Sequence, residues 1–191
     1  SSNQKVVISY RDIGNNTYGT AIVGTVSGTS ISFGTPFVFN SGNTGYVPLT
    51  YDSTNNKVVI AYVDWDNSGY GTAVVFITAG ASVPQLGSPV VHNTGSTIDP
   101  SAVYDSTNQK VVISYRDNGN NQYGTAVVGT ISGTSISFGT EVVFESSATS
   151  DITSTYDSAN NKVVIAYKHD ANNNRGTAIV GEVSGTSISF G

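Results

Sequence analysis

The chain has 191 residues, no Cys, no Met, 21 Gly, 11% charged residues and a formal net charge of −5. A single domain of this length buries roughly 70% of the surface its unfolded chain exposes and forms a core without staples, while the lack of cysteine excludes disulfides and thiolate metal sites. Eight Lys plus Arg against thirteen Asp plus Glu argue against nucleic acid as a partner, because that affinity rests on neutralising phosphates with basic side chains.

The chain is a tandem repeat, which fixes how each element is read. Its first element, Lys5 to Asp12 (KVVISYRD), is rich in β-branched and aromatic residues and predicts a strand. The same segment returns at Lys57, Lys110 and Lys162, at spacings of 52, 53 and 52 residues. A polar loop follows, with Asn15 and Asn16 in the first unit, and then a second strand opening on Gly19-Thr20-Ala21. That opening recurs at Gly71, Gly124 and Gly176. A Ser27-Gly28-Thr29 turn leads to a further strand, SISFGTPFVF, repeated from Ser135 and, in part, from Ser187. In the second unit this turn reads AGASVPQLG, one residue longer, which accounts for the spacing of 53. The last element runs into Tyr51-Asp52, Tyr104-Asp105 and Tyr156-Asp157, each followed by turn formers such as Ser53, Thr54 and Asn55.

Each unit therefore predicts four short antiparallel strands. Apolar residues on both faces, as in Val6, Val7 and Ile8, mean that each sheet is covered on both sides. Stacked four-stranded units of about this length predict an all-β fold, a four-bladed β-propeller forming one domain over residues 1–191. Its units span approximately 1–52, 53–105, 106–157 and 158–191. In blade grammar the repeat resembles sialidase-type propellers. It is also similar to YDSTNNKVVISYRD-type tandem repeats of microbial and phage surface proteins. The resemblance implies architecture rather than activity. The turn Ser27 to Phe33 lacks the Asp of the family's Asp-box, and the three arginines, Arg11, Arg116 and Arg175, do not form the family's arginine cluster.

Four full units would total 209 residues, 18 more than are present. The expectation is a ring short of about one inner strand, completed by a second chain or by a flanking segment, in a product processed or excised from something longer. The bland alternative is a first blade that works with three strands.

An active site in a repeat protein should break the repeat. The charged or aromatic departures are Trp65, Asp66, His92, Asp99, Glu141, Glu145, Asp151, His169, Asp170, Arg175 and Glu182, scattered over several loops and strands. No glutamate shares a loop with a partner for acid–base work, and neither His has a nucleophile beside it, so no catalytic residue is assigned. The run Asp64-Trp65-Asp66-Asn67-Ser68-Gly69 opens like a calcium loop but lacks the bidentate Glu. It reads as a hairpin loop, with no metal and no cofactor.

An indole beside carboxylates and amides also suits a sugar face. Trp65, Asp64, Asp66 and Asn67, with Asn15, Asn16, Asn120 and Asn121 of neighbouring loops, are the candidate ligand-binding residues. Packing of Trp65 over a blade edge is the equal alternative. The Tyr10, Tyr62, Tyr115 and Tyr167 series and the Asp52, Asp105 and Asp157 series are expected to fill interfaces and cap turns. The resulting expectation is a non-enzymatic, lectin-like adhesion module at an extracellular, cell or virion surface, without membrane insertion. A purely structural repeat of a larger surface protein is the alternative, and a glycoside hydrolase the least supported reading.

Overall fold

A computed structural model of the chain describes residues 5–77 and 85–191. The longer turn expected around Ala79 to Ser82 lies outside them. The described chain is all-β, and its strands pair antiparallel throughout. No described helix is long and apolar enough to cross a membrane.

The first unit contains β1 (Lys5–Asp12), β2 (Tyr18–Ser27), β3 (Ser30–Phe33) and β4 (Phe37–Asn40). The second sheet takes in the last residues of the first sequence unit, since the short β5 (Thr44–Gly45) and β6 (Leu49–Asp52) pair with β7 (Lys57–Asp64), which β8 (Tyr70–Ile77) and β9 (Gln85–Leu86) follow; the structural units are counted by these sheets. Next, β10 (Val90–Asp105) leads to β11 (Lys110–Asp117), β12 (Tyr123–Ser132) and β13 (Ser135–Phe138). Finally β14 (Val142–Asp157) leads to β15 (Lys162–His169), β16 (Arg175–Ser184) and β17 (Ser187–Phe190).

The outer edge departs from the sequence reading. A single strand SISFGTEVVF is expected, but β12 is long enough to take two partners end to end. β13 pairs with its far half, Gly129 to Ser132, and β14 with its near half, Tyr123 to Ala126. The chain steps between them at Gly139, where a Cβ would collide with the Thr186 carbonyl of the next unit. Glycine permits that backbone approach.

Outer and inner strands are also continuous. β10 pairs with β8 through Val90–Ser96 and with β11 through Thr97–Asp105. β14 links β12 to β15 in the same way. Each changes register at an aspartate in the left-handed region, Asp99 (φ 48°) and Asp151 (φ 51°). Aspartate tolerates that conformation better than most residues, and Pro100 follows Asp99 where the ladder is interrupted and no donor is needed.

Successive sheets bury each other through equivalent residues. Val59, Ala61, Ala73 and Val75 of the second unit meet Val111, Ile113, Tyr115, Val127 and Ile136 of the third. Val112, Ala126 and Val128 of the third meet Val163, Ile165, Tyr167, Val183 and Ile188 of the fourth. Ala21 of the first, with Val7 beside it, meets Val58, Ile60, Tyr62, Val74 and Phe76.

Each junction holds a ring from the outer strand, seated on the glycine of the neighbouring strand. Phe39 lies on Gly19, His92 on Gly71 and Phe144 on Gly124, at positions where a Cβ would collide with the ring. The rings then meet Tyr62, Tyr115 and Tyr167 at centroid distances of 5.3, 5.1 and 5.2 Å. Burial pushes the hydroxyls of Tyr62 and Tyr115 upward and that of Tyr167 up to about 12.

The opposite edges are tied by side chains. Asp52 accepts bonds from Thr54 N, Asn55 N and Asn55 Nδ2 at 3.0, 3.0 and 2.8 Å. Asp105 and Asp157 repeat the arrangement with Asn108 and Asn160. Burial opposes the charge on Asp52, yet these bonds hold its carboxyl below the usual range. The tyrosine of the next inner strand reaches back to this turn: Tyr104 donates to Thr54 Oγ1 at 2.9 Å and Tyr156 to Thr107 Oγ1 at 2.7 Å.

Gly124→Ala should lose about 1–3 kcal/mol, because the new methyl displaces Phe144 from a packed junction. Gly176→Ala should stay within about 0.5 kcal/mol of the parent, since a Cβ there meets nothing within 4 Å. Urea unfolding of the two variants checks the contrast.

His92 differs from the phenylalanines at its repeat position. It is buried, neither ring nitrogen has a partner, and burial pushes its pKa down to about 3. The unfolded histidine takes a proton below about pH 6.5 while the folded one does not, so stability falls by roughly 1.4 kcal/mol per pH unit as the pH drops. The loss runs from there down to about pH 3. His92→Phe should remove this component, read as a stability gap between variant and parent that widens between about pH 6.5 and about pH 4.

Candidate functional site

The loops that carry the predicted binding residues all lie at one end of the sheets. There β1, β7, β11 and β15 finish and β2, β8, β12 and β16 begin. Each loop ends on two consecutive residues with positive φ: Asn16 and Thr17, Ser68 and Gly69, Asn121 and Gln122, Asn173 and Asn174. That requirement explains their asparagine content, because Asn and Gly accept this conformation most readily.

The loops are joined to the next inner strand by repeated backbone bonds. Thr44, Thr97 and Thr149 donate to the carbonyls of Thr17, Gly69 and Gln122 at 3.0, 2.9 and 3.1 Å. Trp65, Asn118 and Asp170 donate to Asn43, Ser96 and Ala148 at 2.9, 2.8 and 2.9 Å. The loop end is thus a fixed surface.

Trp65 opens a short 3-10 turn, Trp65–Asn67. Its half-buried indole packs over Gly45, where a Cβ would collide with the ring, and lies close against Gly69, whose positive φ of 74° suits glycine. Asp64 and Asp66 flank Gly42, and Asp66 Oδ2 accepts a bond from Asn43 N at 2.8 Å. Asp64 Oδ1 is buried without a partner. Asn67, Asn15, Asn16, Asn120 and Asn121 are exposed on three separate loops.

A second group lies at the kinks and includes residues that sequence reasoning passed over. Tyr46, Asp99 and Asp151 occupy one repeat position and share the left-handed conformation. Asp151 N donates to Asp99 Oδ2 at 3.0 Å, which sets successive kinks side by side. Lys168 Nζ stands 3.2 Å from Asp170 Oδ1 and 3.8 Å from Asp151 Oδ2. Ser150 Oγ donates to Asp170 at 2.8 Å. Burial opposes ionisation of Asp170, but Ser150, Lys168 and the more distant Arg116 hold its carboxyl below the usual range. Burial, with help from Asp99, raises the Tyr46 hydroxyl while Arg116 opposes the rise.

The carboxylates Asp99, Asp151 and Asp170, the cations Lys168 and Arg116 and the half-exposed Tyr46 ring therefore share one surface. The signal in the sequence was the repeat register itself, which places residues 46, 99 and 151 at equivalent points of three inner strands.

Glu145 and His169 also come together, although they lie in different elements. His169 Nδ1 is 3.6 Å from Glu145 Oε2, which accepts a bond from Tyr167 OH at 3.1 Å. Both depart from the repeat, with Asn40 and Asn93 at the first position and Asp12, Asp64 and Asp117 at the second. Asn40 and Asn93 donate to Thr44 and Thr97 Oγ1 at 3.0 Å. Glu145 supplies no such donor, and Thr149 Oγ1 is buried without a partner.

Among the described residues no group of three or more His, Asp and Glu is placed to hold a metal ion. The surface offers paired hydrogen-bond acceptors and donors around a tyrosine ring, a chemistry suited to vicinal hydroxyls. No family model matches the chain, and no curated protein matches it significantly.

Trp65→Ala should lower stability by about 2 kcal/mol and Trp65→Phe by less, because the indole covers two glycines. Thermal unfolding of both variants measures this contribution apart from any ligand.

Proposed function

We propose that each repeat is a β-propeller blade and that the loop end of the array is a non-enzymatic, lectin-like surface for glycans or similar polyhydroxylated polymers. Continuity of β10 and β14 from the outer edge of one sheet to the inner edge of the next supports the blade reading. The observation that carries the binding reading is the row of kinks, where the Asp151 N to Asp99 Oδ2 bond sets repeat-equivalent polar side chains next to one another.

Repetition of such a surface raises avidity for a repeating polymer, since several weak contacts engage together. An extracellular setting, on a cell or virion, fits this role. A structural repeat within a larger surface protein is the second reading, favoured by the open sheet faces of the first and last units. In that reading a further chain or flanking segment supplies the strand expected from the repeat register.

Glycan-array screening followed by calorimetric titration of the best binder tests the proposal. Asp151→Asn keeps a residue that tolerates the left-handed backbone while removing an exposed charge, and should weaken binding about tenfold, roughly 1.4 kcal/mol. A chain that binds no glycan, or whose binding is indifferent to Asp151, Lys168 and Tyr46, contradicts it.

A further inference from the structure

The sheets at the two ends of the array each keep one apolar face open. On the first unit, Ile8 is 40%, Ile31 44% and Phe33 50% exposed. Their repeat equivalents Ile165 and Ile188 are 0% and 3% exposed, because there they press on the preceding sheet. On the last unit, Val180 is 49% exposed while its equivalents Val75 and Val128 are fully buried against the following sheet. Ala178 is exposed, whereas Ala21, Ala73 and Ala126 are fully buried.

These two faces are mates by construction. Three junctions within the chain are built by pressing the face that Val180 represents against the face that Ile8 represents. We infer that the open face of β15 and β16 in one copy of the chain docks on the open face of β1, β2 and β3 in a second copy, head to tail. The inference rests on the reading of the units as blades and does not require glycan recognition, although the docking face borders the Asp151 and Lys168 part of the proposed glycan surface.

The details of the internal junctions carry over. Gly176 is the equivalent of Gly19, Gly71 and Gly124, on each of which a ring is seated, yet nothing lies within 4 Å of a Cβ at Gly176. The open slot is lined by Ala166, Tyr167, Thr177 and Ala178, with Lys168 and Asp151 at its rim. At each internal junction the next unit's tyrosine lies beside this position, as Tyr167 lies beside Phe144. Tyr10 of the second copy is the residue brought there. Likewise Gly87 and Gly139 have their Cβ positions closed by the carbonyls of Thr134 and Thr186, whereas that of Gly191 is open, and Thr29 of the second copy stands in register to meet it. Because the two faces differ, the contact is heterologous and leaves a free face at each end of a pair.

Light-scattering mass against concentration tests this, with Val180→Asp and Ile8→Asp as variants. The parent should exceed 19.8 kDa increasingly as concentration rises. Each variant alone should remain at the monomer mass with an unchanged melting temperature, since both positions are open in the monomer. An equimolar mixture should recover pairs, because Val180→Asp retains an intact Ile8 face and Ile8→Asp retains an intact Val180 face. Where either variant loses its fold, Ala178→Glu and Phe33→Ser replace them. A parent that stays monomeric, an oligomer that survives either substitution, or a mixture that fails to recover pairs overturns the proposal.

Discussion

The constraint on which this structure depends is that a strongly apolar sheet must be covered on both faces. Strands such as Lys110–Asp117 place Val111, Val112, Ile113 and Tyr115 in full burial, with alternate residues pointing to different neighbours. Neither face is polar enough for water. The repeat meets this requirement by making one face of small residues and glycine and the other of Ile, Val and Tyr. A ring from the outer strand fills the gap between them. Non-directional burial alone would permit the sheets to slide. Seating of Phe39, His92 and Phe144 on glycines fixes the alignment.

The same constraint explains how polar residues are distributed. With charges excluded from the junctions, they collect at strand ends, where backbone groups of loops need partners. Asp52, Asp105 and Asp157 spend their oxygens on turn donors. At the other end Asp170 is engaged by Ser150 and Lys168, while Asp151 keeps a largely exposed carboxylate. A repeat fold thereby produces one end that is chemically saturated and one that is available.

Much of this was legible in the sequence. The period of 52 or 53 residues and the β-branched strands follow directly from residue type and spacing. Two-faced burial, expected of every sheet from Val6, Val7 and Ile8, holds at Val111 to Ile113 but not at those residues themselves, because no described sheet lies before the first unit and Ile8 is 40% exposed. The fusion of outer and inner strands was not legible, since a left-handed Asp99 followed by Pro100 looks like a turn in one dimension. Its conversion into a kink inside one strand is a tertiary effect. Nor did residue type reveal that Trp65 packs on Gly45, twenty positions away. The Glu145 and His169 contact was missed for a similar reason: antiparallel pairing joins positions that share no loop. The kink cluster was within reach, because 46, 99 and 151 align as soon as the register is written out.

The sixteen-residue strands β10 and β14 have a mechanical meaning as well. Each belongs to two sheets at once, so the second, third and fourth units cannot separate without tearing a ladder that spans both. The first junction is made differently. There β4, β5 and β6 are separate segments, and Pro48, just before β6, has no N–H to donate. Its connection relies on the packed junction around Ala21, Phe39 and Tyr62 and on separate bonds such as Thr44 N to Thr17 O and Ser9 Oγ to Val47 O. The last three units are therefore joined by one continuous ladder, and the leading unit forms a separate four-stranded sheet packed against it. What distinguishes the leading unit is thus connectivity: it can part from its neighbour by unpacking side chains and releasing those separate bonds, whereas any later separation must also break one continuous strand's pairing.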